Sequence, residues 1–160
     1  MCPIRSLTHD TAAEGAAPER RECAVHSDAV HQSQFVHLNG CSTPVLARLM
    51  YRADDPFTVS LAFRIDARDW VAWDFSRELL LTGLTEPAGI GDIRLRPDLA
   101  TDETFLVLEL ESPDGYAVVE LEIADVRRFA DATTAIVPPG TEADRLDLDR
   151  LIDELTTARP

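Results

Sequence analysis

A chain of 160 residues with 45% hydrophobic and 28% charged side chains suits one domain and is too short for two well-buried cores. It carries 29 acids against 15 bases, every base is arginine, and the formal net charge is −14, a balance that repels phosphate backbones and argues against a nucleic-acid partner. No apolar run approaches the roughly 20 residues of a membrane helix and the start MCPIRSLTHD lacks a signal-peptide core, so no direct membrane insertion and a cytoplasmic location are expected.

Residues 1–33 show neither period 2 nor period 3.6, which predicts a flexible N-terminal extension ahead of a folded domain over 34–160. Pro44 to Arg52 alternates Val45, Ala47, Leu49 and Tyr51 with Leu46, Arg48, Met50 and Arg52, the pattern of a strand. After a turn at DDP, Phe57, Val59, Leu61, Phe63 and Ile65 alternate with smaller and polar residues, predicting a second strand with one apolar face. Val71, Trp73 and Phe75 predict a third, ending at Ser76. That serine is a good N-cap for a short helix over RELLLTG, with Gly83 expected to end it.

In EPAGIGDIRLRP, residues 86–97, two glycines precede two arginines, a pairing that many phosphate sites share. A phosphate loop, however, needs its glycines between a strand and a helix N-terminus. Here they lead into alternating strand residues, Ile93 and Leu95 against Arg94 and Arg96, closed by Pro97. The stretch therefore reads as a turn with Gly89 or Gly91 at positive φ. ETFLVLELE and YAVVELE flank SPDG and predict an antiparallel hairpin. Ile123, Val126, Phe129, Ala130 and Thr133 lie on one helical stripe that Pro138 and Pro139 terminate. A last helix places Leu148, Leu151, Ile152 and Leu155 on one face, capped by Asp147, with Leu146 stapled over Leu151 and an acidic outer face. The expected class is α+β: antiparallel strands, a short helix, more strands and then two helices, not alternating βαβ.

Catalytic constellations are thin. All four histidines precede residue 38, which leaves the predicted core without a general base for Ser-His-Asp or Cys-His chemistry. The acid pairs Asp54/Asp55 and Glu109/Glu111 read as a turn and a solvated strand face. Cys2, Cys23 and Cys41 are an odd number at wide spacing and form no disulfide framework. Cys23, His26, His37 and Cys41 have the ligand types of a zinc site but lack the apolar pattern that would fold around one. Trp70 and Trp73, three apart in a strand, point to opposite faces and make a poor stacking platform for bases. The expectation is no enzyme, no cofactor and no metal. Arg94, Arg96, Arg127 and Arg128 stand out as candidate partner-binding residues, tempered by nearby Asp92, Asp98, Asp125 and Asp131.

Taken in order, YRADDPFTVSLAF, WVAWDFSRELLLTGL, EPAGIGDIRLRP, SPDGYAVVELE and VPPGTE resemble the SsgA-like proteins of sporulating filamentous actinobacteria, from about Val36 to the end of the chain. The resemblance implies a whirly-like bent antiparallel β-sheet with packed helices and a non-catalytic regulator of sporulation-specific cell division. It also implies partners among division or wall-assembly proteins, the tubulin-like division protein FtsZ or another family member, a homo-oligomer such as a trimer, and recruitment to septum sites. The same fold kinship makes a single-stranded nucleic-acid-binding regulator the rival reading. This chain departs from the family pattern in Arg77-Glu78, where Arg-Asp is usual, and in its long N-terminal extension.

Overall fold

The computed structural model describes residues 23–98 and 105–157. Its strands are β1 (Cys23–His26), β2 (Ala29–Leu38), β3 (Val45–Arg52), β4 (Asp55–Arg64), β5 (Trp70–Ser76), β6 (Ile93–Pro97), β7 (Phe105–Ser112) and β8 (Gly115–Glu122). Three helices, α1 (Arg77–Gly83), α2 (Ile123–Ile136) and α3 (Leu148–Thr157), accompany them, with a 3-10 turn at Glu142–Arg145. All pairings are antiparallel, in the order β5-β4-β3-β2-β8-β7-β6, and β1 adds to β2. The α+β class is as the sequence patterns predict, and the curled antiparallel sheet with packed helices is as the resemblance implies.

The sheet consists of two meanders joined at a narrow seam. β2 pairs with β3 along eight residues, Ala29 to Val36, but with β8 only at His37↔Glu120 and Leu38↔Val119. Asn39 lengthens this seam. Its backbone N–H donates to the Val118 carbonyl at 2.8 Å, and its side-chain Oδ1 accepts from the Val118 N–H at 2.8 Å. Asn39 takes φ 52 to do so, a left-handed conformation that asparagine tolerates better than most residues. Beside the seam, the buried Gln32 amide donates to the Asp125 carbonyl in the first turn of α2 at 2.8 Å.

β1 and β2 correct the expected domain start at residue 34: the described fold reaches back to Cys23, while residues 1–22 of the expected extension lie outside the described residues. The buried face of β2 reads Val30, Gln32, Gln34 and Val36. Two glutamines in the buried row hide its period from a hydrophobicity pattern.

On the inner face of the sheet, Val59, Leu61, Phe63 and Phe75 meet Leu95, Leu106, Leu108, Leu110, Val119 and Leu121 under α1 and α2 in one core. All five residues of the predicted α2 stripe are buried. The ends of the long β4 stripe behave differently, since Phe57 and Ile65 are exposed. Ser76 caps α1 as expected, accepting from the Leu79 N–H at 3.0 Å. Gly83 does not end α1 through positive φ; the helix leaves through Leu84 at φ −71. Glycine is needed because a Cβ there would stand 2.6 Å from the Leu95 Cβ, so α1 lies directly on β6. Gly89 does serve a turn, at φ 97, where a Cβ would lie 2.3 Å from the Ile93 carbonyl oxygen.

Arg77, the first residue of α1, is 1% exposed. Its Nη1 donates to the Val137 carbonyl at 2.6 Å and the Thr133 carbonyl at 3.2 Å, both at the C-terminal end of α2. Its Nη2 pairs with Glu142 Oε1 at 2.5 Å, and the guanidinium lies 5.1 Å from the Tyr51 ring centre. Glu142 Oε2 also accepts from the Gly140 N–H at 2.6 Å, and the Tyr51 hydroxyl donates to the Pro56 carbonyl at 3.1 Å. One cation thus holds β3, α1, α2 and the 3-10 turn together, and its charge suits the negative end of α2.

Arg77→Leu takes the guanidinium from two carbonyls at the end of α2 and from the Glu142 carboxylate, so a loss of about 3–5 kcal/mol in unfolding free energy is expected by urea denaturation. Arg77→Lys rescues it only in part, because one ammonium cannot reproduce the fork. The hydrogen bond from Arg77, followed by local backbone N–H donors, holds the Glu142 carboxyl below the usual carboxylate range. A depressed folded pKa gives stability that is present above the unfolded value of about 4.3 and lost as the pH falls through the folded one. Glu142→Gln is therefore expected to unfold earlier than the parent at neutral pH, with the gap between their thermal midpoints narrowing as acid protonates Glu142.

Candidate interaction surface

The four arginines singled out from the sequence do not form one patch. Strand alternation sends Leu95 inward beneath α1 and sends Arg94 and Arg96 to the outer face of β6, whereas Arg127 and Arg128 are exposed on α2, which covers the inner face. Arg94 Nε lies 3.2 Å from Glu109 and its Nη2 lies 3.5 Å from Glu111, while Arg96 Nε lies 3.7 Å from Glu109. Cross-strand pairing dictates this, since Arg94 sits opposite Glu109 in the register of β6 and β7. Arg128 pairs with Asp125 at 3.0 Å, one turn earlier on α2. Glu109 and Glu111 balance Arg94 and Arg96, and Asp125, one of the aspartates named from the sequence, balances Arg128.

Other chemical groups are likewise held in structural roles. Arg52 pairs with Asp54 at 2.5 Å and keeps that carboxyl below its ordinary range, while Asp55 accepts from the Thr58 hydroxyl at 3.0 Å. Arg52 and Asp54, with Asp28 and Ala29, line a shallow cleft of about 270 Å³. β2 carries His31 and His37 in the sheet at positions that alternate with its buried row. Both lie on the outer face, and His37 Nδ1 is 3.0 Å from the Cys41 carbonyl oxygen.

The zinc spacing does not translate into a cluster. Cys23 pairs opposite Gln32, five positions along β2 from His37, a separation of roughly 17 Å at about 3.3 Å per residue. Burial raises the Cys23 thiol pKa against the opposing pull of Arg128. Cys41 is disulfide-bonded, a correction to the expected absence of disulfides and a second reason it is no ligand. Among the described residues, no three His, Cys, Asp or Glu side chains are grouped to hold a metal ion.

Two surface features escape the motif reading. On the outer face, Arg48 stacks over Trp70 with its guanidinium carbon 4.6 Å from the ring centre, beside Phe35, which is 60% exposed. Trp73 packs inward against the core, so the two tryptophans do point to opposite faces. The second is α3. Asp147 caps it as predicted, accepting from the Arg150 N–H at 3.0 Å, yet Leu148, Leu151, Ile152 and Leu155 are all exposed, Leu155 at 71%. The stripe expected to face the core faces solvent. No helix of the described residues is long and apolar enough to cross a membrane.

Comparison with known proteins gives a consistent outcome. The family described as Streptomyces sporulation and cell division protein, SsgA, matches residues 45–142. The sporulation-specific cell division protein SsgB of Kineococcus radiotolerans is 45% identical over 121 residues, covering 74% of this chain and 73% of the relative. SsgB of Streptomyces coelicolor is 35% identical over 133 residues, 83% of this chain and 93% of the relative. Among solved structures, the SsgA-like sporulation-specific cell division protein of Thermobifida fusca superposes with a TM-score of 0.70 at 32% identity, covering 82% of this chain and 98% of that one. An SsgB structure, described with mutations that correlate to longitudinal cell division during sporulation of Streptomyces coelicolor, gives a TM-score of 0.69 at 34% identity. It covers 77% of this chain and all of that one.

The outer-face ion pairs are solvent-exposed and carry little stability. Arg94→Gln with Arg96→Gln is expected to shift the unfolding free energy by less than about 1 kcal/mol, measured by urea titration, so any larger effect on partner capture reports binding and not folding.

Proposed function

Because the chain belongs to the SsgA family of sporulation and cell division proteins, we propose that it is a non-catalytic adaptor that acts in sporulation-specific cell division by binding other proteins at septum sites. The observation that carries this reading is the character of the surface. Arg94, Arg96 and Arg128 are engaged by the chain's own acids, while large apolar side chains on two separate features, Phe35 on the sheet and Leu148 to Leu155 on α3, are turned to solvent. Exposed apolar groups with charged borders suit protein partners. Division or wall-assembly proteins, the tubulin-like FtsZ or another family member among them, and further copies of this chain are the partners proposed.

Single-stranded nucleic acid is the weaker reading, on electrostatic grounds. Binding to phosphates gains much of its affinity by releasing counterions to Lys and Arg. This chain has a net charge of −14 and no lysine. Trp70 is covered by Arg48 and Trp73 packs inward, which leaves no pair of stacked tryptophans on one face.

Affinity capture with the full chain from sporulating cells, with and without nuclease, tests the assignment. Recovery of a division or wall-assembly protein that survives nuclease is expected. Recovery dominated by nucleic acid, with sub-micromolar, salt-sensitive binding to single-stranded DNA, would overturn it.

A further inference from the structure

We infer that α3 is a helical ligand whose apolar stripe seats in an apolar groove with basic rims on a different protein. The inference rests on the adaptor reading and names both the element that makes the contact and the chemistry that receives it.

The helix is presented and left uncovered. No residue of α3 is buried, and its ten residues fall short of the roughly 12–15 that an isolated helix needs in water. Local devices support it: Asp147 accepts from the Arg150 N–H at 3.0 Å, and Arg150 pairs with Glu154, one turn on, at 3.0 Å. Its base is fixed to the body, since Arg145 donates to the Ile136 carbonyl at the end of α2 at 3.2 Å and Glu142 is tied to Arg77. A helix held at its base, with all its side chains in solvent, gains its remaining stability from whatever it docks on.

The stripe and its flanks define the seat. Leu148, Leu151, Ile152 and Leu155 are all exposed and recur at i, i+3, i+4 and i+7, the spacing by which an amphipathic helix anchors in a groove. They cover about 10 Å of helix at about 1.5 Å per residue. With about 100° between successive residues, Asp149 and Asp153 fall on one flank of the stripe and Asp147 and Glu154 on the other, while Arg150 stands on the side away from it. Both rims of the groove must then be basic.

That charge pattern selects among occupants. Helices that lie on membranes carry Lys and Arg on their polar face, whereas anionic headgroups would repel these acids. A second copy of this chain is a poor seat. It has no lysine and a net charge of −14, and its Arg52, Arg94, Arg96 and Arg128 are held by its own Asp54, Glu109 and Asp125. A different protein with a Lys- or Arg-rimmed apolar groove meets both demands, and the opposite charges steer encounter and fix the register of the helix.

Photo-crosslinking in sporulating cells tests this in the full chain, with benzoylphenylalanine at position 151 and, as the reference, at position 116 on β8, where Tyr116 is exposed. Position 151 is expected to crosslink to a protein other than this chain, through a peptide that combines apolar residues with Lys or Arg. Ile152→Asp is expected to cut that crosslink at least roughly tenfold, and Asp149→Lys with Asp153→Lys to weaken it similarly. Because α3 buries nothing, thermal midpoints within a few degrees of the parent are expected, and Ile152→Ser serves if the aspartate variant unfolds. A crosslink to a second copy, to lipid or to a peptide without basic residues would overturn the inference, as would a yield at 151 no higher than at 116 or variants that crosslink as the parent does. Capture of a division or wall-assembly protein undiminished by Ile152→Asp would leave the adaptor reading standing and refute the role of α3. A parent that neither captures nor crosslinks another protein would sink both.

Discussion

Everything on the inner side of this sheet depends on where one guanidinium lies. Arg77 is a buried cation in a chain of strongly negative charge, and it is acceptable there because its surroundings are anionic or electron-rich: two carbonyls at the end of α2, the Glu142 carboxylate and the Tyr51 ring. Removing a charge from water is costly unless such partners are in place. The constraint runs in both directions. The Arg77 contacts require α2 to end within reach of the start of α1, and α2 presents its last carbonyls there because Pro138 and Pro139 stop it. The short α1 is pressed on β6 through Gly83, so the same cation fixes the second meander against the first.

Much of this architecture was readable from period and punctuation. β3, β4, β5, the β7–β8 hairpin and the buried stripe of α2 follow from alternation, from SPDG and from 3.6-residue spacing, and the Ser76 cap is local chemistry that needs no tertiary context. What failed did so for identifiable reasons. β2 has glutamines at buried positions, so its hydrophobic signal is diluted although its geometric alternation is intact. Gly83 looks like a helix terminator, whereas its lack of a side chain is required by a strand ten residues later in the chain. The stripe on α3 was correctly placed on one face, but amphipathicity says which side is apolar and not what covers it.

The surface was less legible, because pairing depends on register. Arg94 and Arg96 were recognisable as outward-facing from alternation alone, yet their engagement by Glu109 and Glu111 follows from which residue of β7 stands opposite β6. Arg77 shows the reverse limit. Its position at the start of a leucine-rich helix suggested nothing of a buried strut, since all four contacts come from residues outside α1, three of them more than fifty positions away. In a chain without lysine, arginine takes on two unrelated roles: a buried fork satisfying helix ends, and an exposed cation stacked on tryptophan.

The narrow seam between the two meanders bears on how the chain assembles. Within each half, neighbouring strands follow one another directly in sequence, so their contacts are local. The seam joins Asn39 to Val118, positions 79 apart, through two strand pairs and a borrowed side-chain amide. Loop-closure entropy is therefore concentrated at one place, while the free energy that offsets it comes from elsewhere, from the apolar faces of helices laid across both halves. Contacts are local in sequence inside each half and distant between them, so the seam is where the non-local cost of a single sheet falls.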